Sequence, residues 1–144
     1  MKSFSITKKI RINASPEKVF DALTTSEEIV KYYPINKVTS LWGLGDSVNY
    51  HGEVDGVAFT DYGVITALKR PFTYSYRYWS DNHGTDKTPD NHLTINYTLS
   101  VVDGATELHL VQSNIKFEEM FNVMNNVVWD MLLSSLKNHM ESCK

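Results

Sequence analysis

Alternating apolar and polar residues, together with turn signals between them, predict strands over much of the first 115 positions. Phe4, Ile6, Ile10 and Ile12 are apolar at even positions, which indicates a first strand with one buried face. We expect further strands at residues 37–42, 47–53, 57–68, 72–80 and 93–101, and a last one leading to Ile115. Asp-Gly pairs at 55–56 and 103–104 predict tight hairpins, so the strands should pair antiparallel. Gly63, inside the longest strand, predicts a bulge or a bend that lets the sheet curl.

Two short helices should separate the first strand from the others. Ser15 can accept a hydrogen bond from an unpaired backbone N–H, and Pro16 suits the first position of a helix. A second helix is expected from Ser26 to just before Pro34, where proline ends it.

Residues 117–141 predict one long amphipathic helix whose apolar stripe rotates along its length. At 100° per residue, one face carries Phe117, Met120, Phe121, Met124, Val127, Val128 and Met131, and an adjoining face carries Trp129, Leu133, Leu136 and Met140. The second face would anchor the helix to the sheet. The first would roof a cavity, with Met120, Met124 and Met131 making the roof adaptable. The alternative is that both faces are ordinary core.

The strand at 72–80 is unusually aromatic and offers candidate ligand contacts on either face. If Tyr74, Tyr76 and Tyr78 face inward, their hydroxyls can bind a ligand that their rings enclose. If Arg77 faces inward instead, an anionic ligand head is expected. Asp61 and Gln112 would also point inward on their own predicted strands, and a buried Asp61 would need a partner, for which Arg77 is the candidate. Core packing of the tyrosines is the alternative.

Composition narrows the class of protein. The 144 residues suit a single domain, 1–144, and the formal charge of −3 shows no basic footprint for nucleic acid. No apolar run is long enough to insert into a membrane, and the single cysteine, Cys143, excludes an internal disulfide. We therefore expect a cytoplasmic protein. The sequence has no metal-ligand spacing and no phosphate loop, and it indicates no catalytic residue, metal or cofactor.

The chain resembles the SRPBCC or START-like superfamily, and within it the family named for the C-terminal domain of the activator of the heat-shock-90 chaperone ATPase. The resemblance is carried by residues 12–23, 63–65, 70–76, 104–110 and 129–137. It implies an α+β helix-grip fold, as in the birch pollen allergen, of order β-α-α-β(about six)-α, with a curved antiparallel sheet wrapped around a long C-terminal helix. Relatives usually carry tryptophans at Tyr32 and Tyr33, glycine at Val128 and often histidine at Gln112, so these positions alter the wall or mouth of the expected cavity.

Three functions follow as hypotheses. The first is non-enzymatic binding of a small hydrophobic or amphipathic molecule between helix and sheet, through Tyr74, Tyr76, Tyr78, Arg77, Asp61, Gln112, Met120, Met124, Met131 and Phe121. The second, implied by the family's name, is a chaperone partner. The third, implied by the superfamily, is a cyclase-type or hydrolase-type enzyme that uses the same cavity, with Tyr76, Arg77, Asp61 or His109 as acid or base. The protein would be a monomer or a homodimer.

Overall fold

One seven-stranded sheet forms the body of the protein in the computed structural model, which describes residues 3–142 and so leaves out Cys143. The strands are β1 (Phe4–Ile12), β2 (Lys37–Ser40), β3 (Ser47–Val54), β4 (Val57–Lys69), β5 (Thr73–Ser80), β6 (Leu93–Val102) and β7 (Ala105–Ile115). All neighbours pair antiparallel in the order β1-β7-β6-β5-β4-β3-β2. The predicted α+β order, with six strands after two helices, is confirmed.

Helices cover one face of this sheet. They are α1 (Pro16–Leu23), α2 (Ser26–Tyr32), and a terminal helix made of α3 (Glu118–Val123), a π-helical turn (Met124–Val128) and α4 (Trp129–Ser142). The predicted start of α1 is confirmed, because the Ser15 side chain accepts from the Lys18 backbone N–H at 3.3 Å and Pro16 is the first helical residue. None of the helices in the described part of the chain is both long and apolar enough to cross a membrane.

The two predicted hairpin turns are confirmed by their backbone angles. Asp55 and Gly56 have φ of 52° and 80°, and Asp103 and Gly104 have φ of 50° and 79°. Two consecutive positive φ values define the turn that matches the natural twist of a hairpin. Of the predicted bulge or bend at Gly63, the bulge is misplaced, because the register of β4 with β5 shifts between Ile65 and Ala67, further along the strand. Gly63 instead allows close packing: a Cβ there would lie 2.9 Å from the Val48 carbonyl oxygen.

The terminal helix departs from the uninterrupted α-helix that the sequence predicts. In its π-helical turn the Trp129 N–H donates to the Met124 carbonyl, five residues back, so this turn holds one extra residue. The extra residue rotates the following segment by roughly 100° relative to a continuous α-helix. Trp129, Leu133 and Leu136 are therefore buried against the sheet, while Met131 is 50% exposed. The predicted position of Met131 in the roof is corrected by this rotation.

Candidate functional site

The tyrosine row of β5 faces the helices, which decides between the two orientations that the sequence left open. Tyr74, Tyr76 and Tyr78 are all buried, whereas Arg77 is exposed on the other face of the sheet. The expected ion pair between Arg77 and Asp61 does not form: Arg77 lies opposite Val64, and Asp61 lies opposite Ser80. An anionic ligand head held by Arg77 is thereby excluded from this side of the sheet.

The deeper tyrosines form packed core rather than a pocket wall. Tyr74 and Tyr76 pack at 5.2 Å between ring centroids, and the Tyr74 hydroxyl shares a 2.9 Å hydrogen bond with Tyr50. The void among these rings measures only about 10 Å³, room for no more than one water molecule. Burial raises the pKa of both phenols well above the ordinary value, so they stay neutral. For Tyr74 and Tyr76 the core alternative therefore describes the geometry.

A cavity of about 310 Å³ lies between the terminal helix and the ends of β4 and β5. We call it the grip cavity. Its lining comes from the segment after α2, from β4 and β5, from the loop after β5, and from α3 with its π-helical turn: Tyr33, Pro34, Ile35, Phe59, Asp61, Tyr78, Ser80, Asn82, His83, Met120, Met124 and Val128. Its volume falls at the small end of the range for ligand pockets. Met124 and Val128 are the two ends of the π-helical turn, a kind of irregularity that is frequent at functional sites.

Asp61 is the acidic group of the grip cavity. Burial raises its pKa from 3.8 to about 6, the nearby Asp81 carboxylate adds to this shift, and hydrogen bonding from the Ser80 hydroxyl opposes it. Among residues 3–142, no lysine, arginine or histidine forms an ion pair with Asp61. A half-buried carboxylate with a raised pKa and no cationic partner is costly to the fold, which is typical of groups kept for function.

His83 and Tyr78 complete the polar end of the cavity. Their rings meet edge to face at 5.2 Å. Burial lowers the pKa of His83 to about 4, helped by the neighbouring His92, so the imidazole is neutral at physiological pH. Its Nδ1 accepts from the Ser80 backbone N–H at 3.3 Å, which leaves the ring hydrogen on Nε2. The Tyr78 phenol is also neutral, because burial raises its pKa.

Gln112 holds Tyr78 in place from behind and does not line the cavity. It is fully buried on β7, where Nε2 donates to the Tyr78 hydroxyl at 2.9 Å and Oε1 accepts from the Trp129 indole N–H at 2.7 Å. These two bonds connect β5, β7 and the terminal helix through one side chain. Gln112, proposed from the sequence as a ligand contact, therefore positions a cavity residue.

The structure brings four of the proposed ligand contacts together at the grip cavity. They are Asp61, Tyr78, Met120 and Met124. Phe121 instead packs on Phe4, with 5.4 Å between ring centroids.

Sequence reasoning missed several lining residues. His83 lies in a loop of mostly polar residues after β5, yet it is half-buried against Tyr78. Phe59, Ser80 and Asn82 carried no signal in the sequence. Tyr33 was indicated only by its departure from the pattern of relatives, whereas Val128 was also on the helix face predicted to roof the cavity, and both line it.

A larger groove of about 640 Å³ lies on another part of the surface, between α1, α2 and the end of α4. Its two acidic side chains are already paired with neighbours: Glu28 with His139 at 2.9 Å, and Asp21 with Arg70. We therefore read it as a solvated surface groove. Within residues 3–142, no three His, Cys, Asp or Glu side chains are grouped to hold a metal ion.

A curved antiparallel sheet that grips a terminal helix across a partly polar cavity defines the START-like, or SRPBCC, helix-grip class. The chain belongs to the family of activator of Hsp90 ATPase homolog 1-like proteins, which it matches over residues 13–141. No curated protein sequence matches the chain.

Solved structures share this fold over nearly the whole chain. The chain is 28% identical to a protein from Cytophaga hutchinsonii known from a solution structure, with a TM-score of 0.83 and coverage of 97% of this chain and 95% of that one. It is 24% identical to Aha1 from Colwellia psychrerythraea, solved as a dimer, with a TM-score of 0.76 and 96% of both chains covered. Ara h 8.0201 is 14% identical, with a TM-score of 0.77 and coverage of 98% and 99%. The last two likenesses concern the fold.

Proposed function

We propose that this protein binds a small amphipathic molecule in the grip cavity. The observation that carries the proposal is the division of the cavity wall. Met120, Met124 and Val128 give it an adaptable apolar side, and Asp61, Tyr78 and His83 give it a polar end. An apolar concave site with a few converging polar groups is the usual form of a small-molecule site.

Binding should be visible at the methionine methyl groups, because some methionines line the cavity and others lie outside it. Met120 and Met124 line the cavity, whereas Met131 is half-exposed outside it and Met140 borders the surface groove. In protein with labelled methionine methyls, titration with phenethyl alcohol, phenethylamine and phenylacetate should shift the signals of Met120 and Met124. The signals of Met131 and Met140 should stay in place.

A matched pair of variants tests the location of the site. Met124→Trp should fill the cavity and weaken binding by about tenfold or more, because a ring placed there occupies the ligand's volume. Met131→Trp adds the same side chain to the same helix at a half-exposed position and should bind like wild type. If none of the three compounds moves Met120 or Met124, or if Met124→Trp binds them like wild type, the proposal fails.

The enzyme alternative has one observation in its favour, a carboxyl group whose pKa of about 6 lies close to neutrality beside a neutral phenol. The other proposed acid or base groups lie elsewhere: Arg77 is exposed, Tyr76 is packed in the tyrosine core, and His109 contacts Glu107 at 2.9 Å. Conversion of a bound compound, followed by product analysis and lost in Asp61→Asn, would favour catalysis over binding. The chaperone role stays a prediction from the family's name.

A further inference from the structure

The grip cavity offers both polar and apolar side chains to a ligand. Its polar lining consists of Asp61, Ser80, Asn82 and His83 with the Tyr78 phenol, and its apolar lining includes Met120, Met124, Val128, Pro34, Ile35 and Phe59. At about 30 Å³ for each water in the liquid, the volume of about 310 Å³ corresponds to roughly ten water molecules. A ligand of one ring or a short chain with one polar head suits this space.

The electrostatics of the polar end select the sign of that head. Four lining residues titrate: Tyr33, Asp61, Tyr78 and His83. Both phenols and the imidazole are neutral at physiological pH, since burial raises the pKa of the tyrosines and lowers that of His83. Among the lining residues of the described chain, Asp61 is thus the one that carries a formal charge, and nearby Asp81 is also negative.

We propose that the ligand of the grip cavity is a small primary or secondary amine, whose protonated nitrogen pairs with the Asp61 carboxylate while its apolar body packs against Met120, Met124 and Val128. This inference rests on the proposed binding function. An ammonium group supplies the cationic partner that Asp61 lacks among residues 3–142.

The hydrogen-bonding pattern around Asp61 leaves room for such a head. A carboxylate offers about four acceptor positions, and the Ser80 hydroxyl opposite it takes one. His83 does not compete as a cation, because it is neutral with its Nδ1 occupied by the Ser80 N–H. An anionic head would meet Asp61 and Asp81, and no lysine or arginine among the described lining residues would offset them, so carboxylate ligands are disfavoured.

The test compares phenethylamine, phenethyl alcohol and phenylacetate, which share one aromatic body and differ in their heads. Titrations at about pH 7.5, where both Asp61 and the amine are ionised, should rank the amine first by about tenfold over the alcohol, with phenylacetate weakest. Asp61→Asn should lower amine affinity about tenfold and leave the alcohol within about twofold. Asp86→Asn, which removes an exposed carboxylate from the loop after β5, should change neither.

The outcomes separate this inference from the function on which it rests. If all three compounds bind equally in the cavity, or if phenylacetate binds best, the protein is a ligand binder and the amine inference is overturned. If Asp61→Asn binds phenethylamine like wild type, the pairing with Asp61 is likewise overturned. If no compound shifts Met120 or Met124, both the proposed function and the inference fail.

Discussion

Replacing Asp61 with asparagine should stabilise the protein at neutral pH, although most single substitutions destabilise. Burial raises the pKa of Asp61 from 3.8 to about 6, Asp81 adds to the shift, and hydrogen bonding from Ser80 offsets only part of it. The folded protein therefore holds the ionised carboxylate less readily than the unfolded chain does. Asparagine has nearly the same shape and carries no charge, so it removes this penalty.

The size of the effect follows from the two pKa values. The difference between about 6 and 3.8 corresponds to about 3 kcal/mol, at about 1.4 kcal/mol for each pH unit. Because the folded-state pKa is the higher one, the folded state binds the proton more tightly. The contribution of Asp61 to stability is therefore complete below about pH 4 and is lost as the pH rises through about 6. The free energy of unfolding of Asp61→Asn should exceed that of wild type by up to about 3 kcal/mol at about pH 7 and by little at about pH 4.

Urea unfolding of both proteins, followed by tryptophan fluorescence between about pH 4 and about pH 7.5, measures this difference. Subtracting the unfolding free energy of wild type from that of Asp61→Asn at each pH removes the pH dependence that Glu28 and Glu107 give to both proteins. The pKa values of these two glutamates are lowered mainly by hydrogen bonds from His139 and His109. Asp86→Asn controls for the loss of an exposed carboxylate. A difference between wild type and Asp61→Asn that stays constant across this range, or a less stable variant at about pH 7, would refute the reasoning.

Three further predictions concern the frame of the cavity. Gln112→Leu should lower the free energy of unfolding by about 3 kcal/mol, because it leaves the Tyr78 hydroxyl and the Trp129 indole N–H buried without their partner. Gln112→His keeps one donor and one acceptor and should lose less stability. Equal losses in urea unfolding would contradict this. Gly63→Ala should cost about 1–3 kcal/mol in the same assay, since its Cβ would lie 2.9 Å from the Val48 carbonyl oxygen; an unchanged midpoint would contradict it. Gly52→Ala should push the Phe59 ring, 2.6 Å from the new Cβ, into the cavity and weaken phenethylamine binding; wild-type affinity would contradict it.

The sheet and its turns could be predicted because short-range rules decide them. Period-two alternation identified β1 and β6, and the Asp-Gly pairs at 55–56 and 103–104 fixed two hairpins through their positive φ values. Alternation also divided β5 into two rows. It could not tell which row faces the helices, because both rows contain aromatic residues, and only packing against the tyrosine core decides.

The polar end of the site could not be predicted in the same way, because tertiary contacts create it. Asp61 and Arg77 looked like partners on neighbouring strands, yet the register of β4 with β5 sets Asp61 opposite Ser80 and leaves Arg77 on the outer face. His83 follows a strand in a polar loop, where a sequence pattern predicts exposure. The Tyr78 ring and the Ser80 N–H bring it into the cavity instead.

The apolar stripe of the terminal helix rotates in the sequence pattern because the helix is not a continuous α-helix. With about 100° per residue throughout, Met120 and Met124 would face the sheet only when Trp129 and Leu133 turned away from it. The π-helical turn, closed by the Trp129 N–H on the Met124 carbonyl, takes up about one residue of rotation and brings both groups to the same side. Met124 and Val128 are the ends of that turn, and both line the cavity. The same π-helical turn therefore lets Trp129 and Leu133 pack on the sheet and forms the roof of the cavity. Both the π-helical turn and the Asp61 carboxylate are locally unfavourable, and both face the cavity. Unfavourable local features are expected at functional sites, which supports the grip cavity as the site.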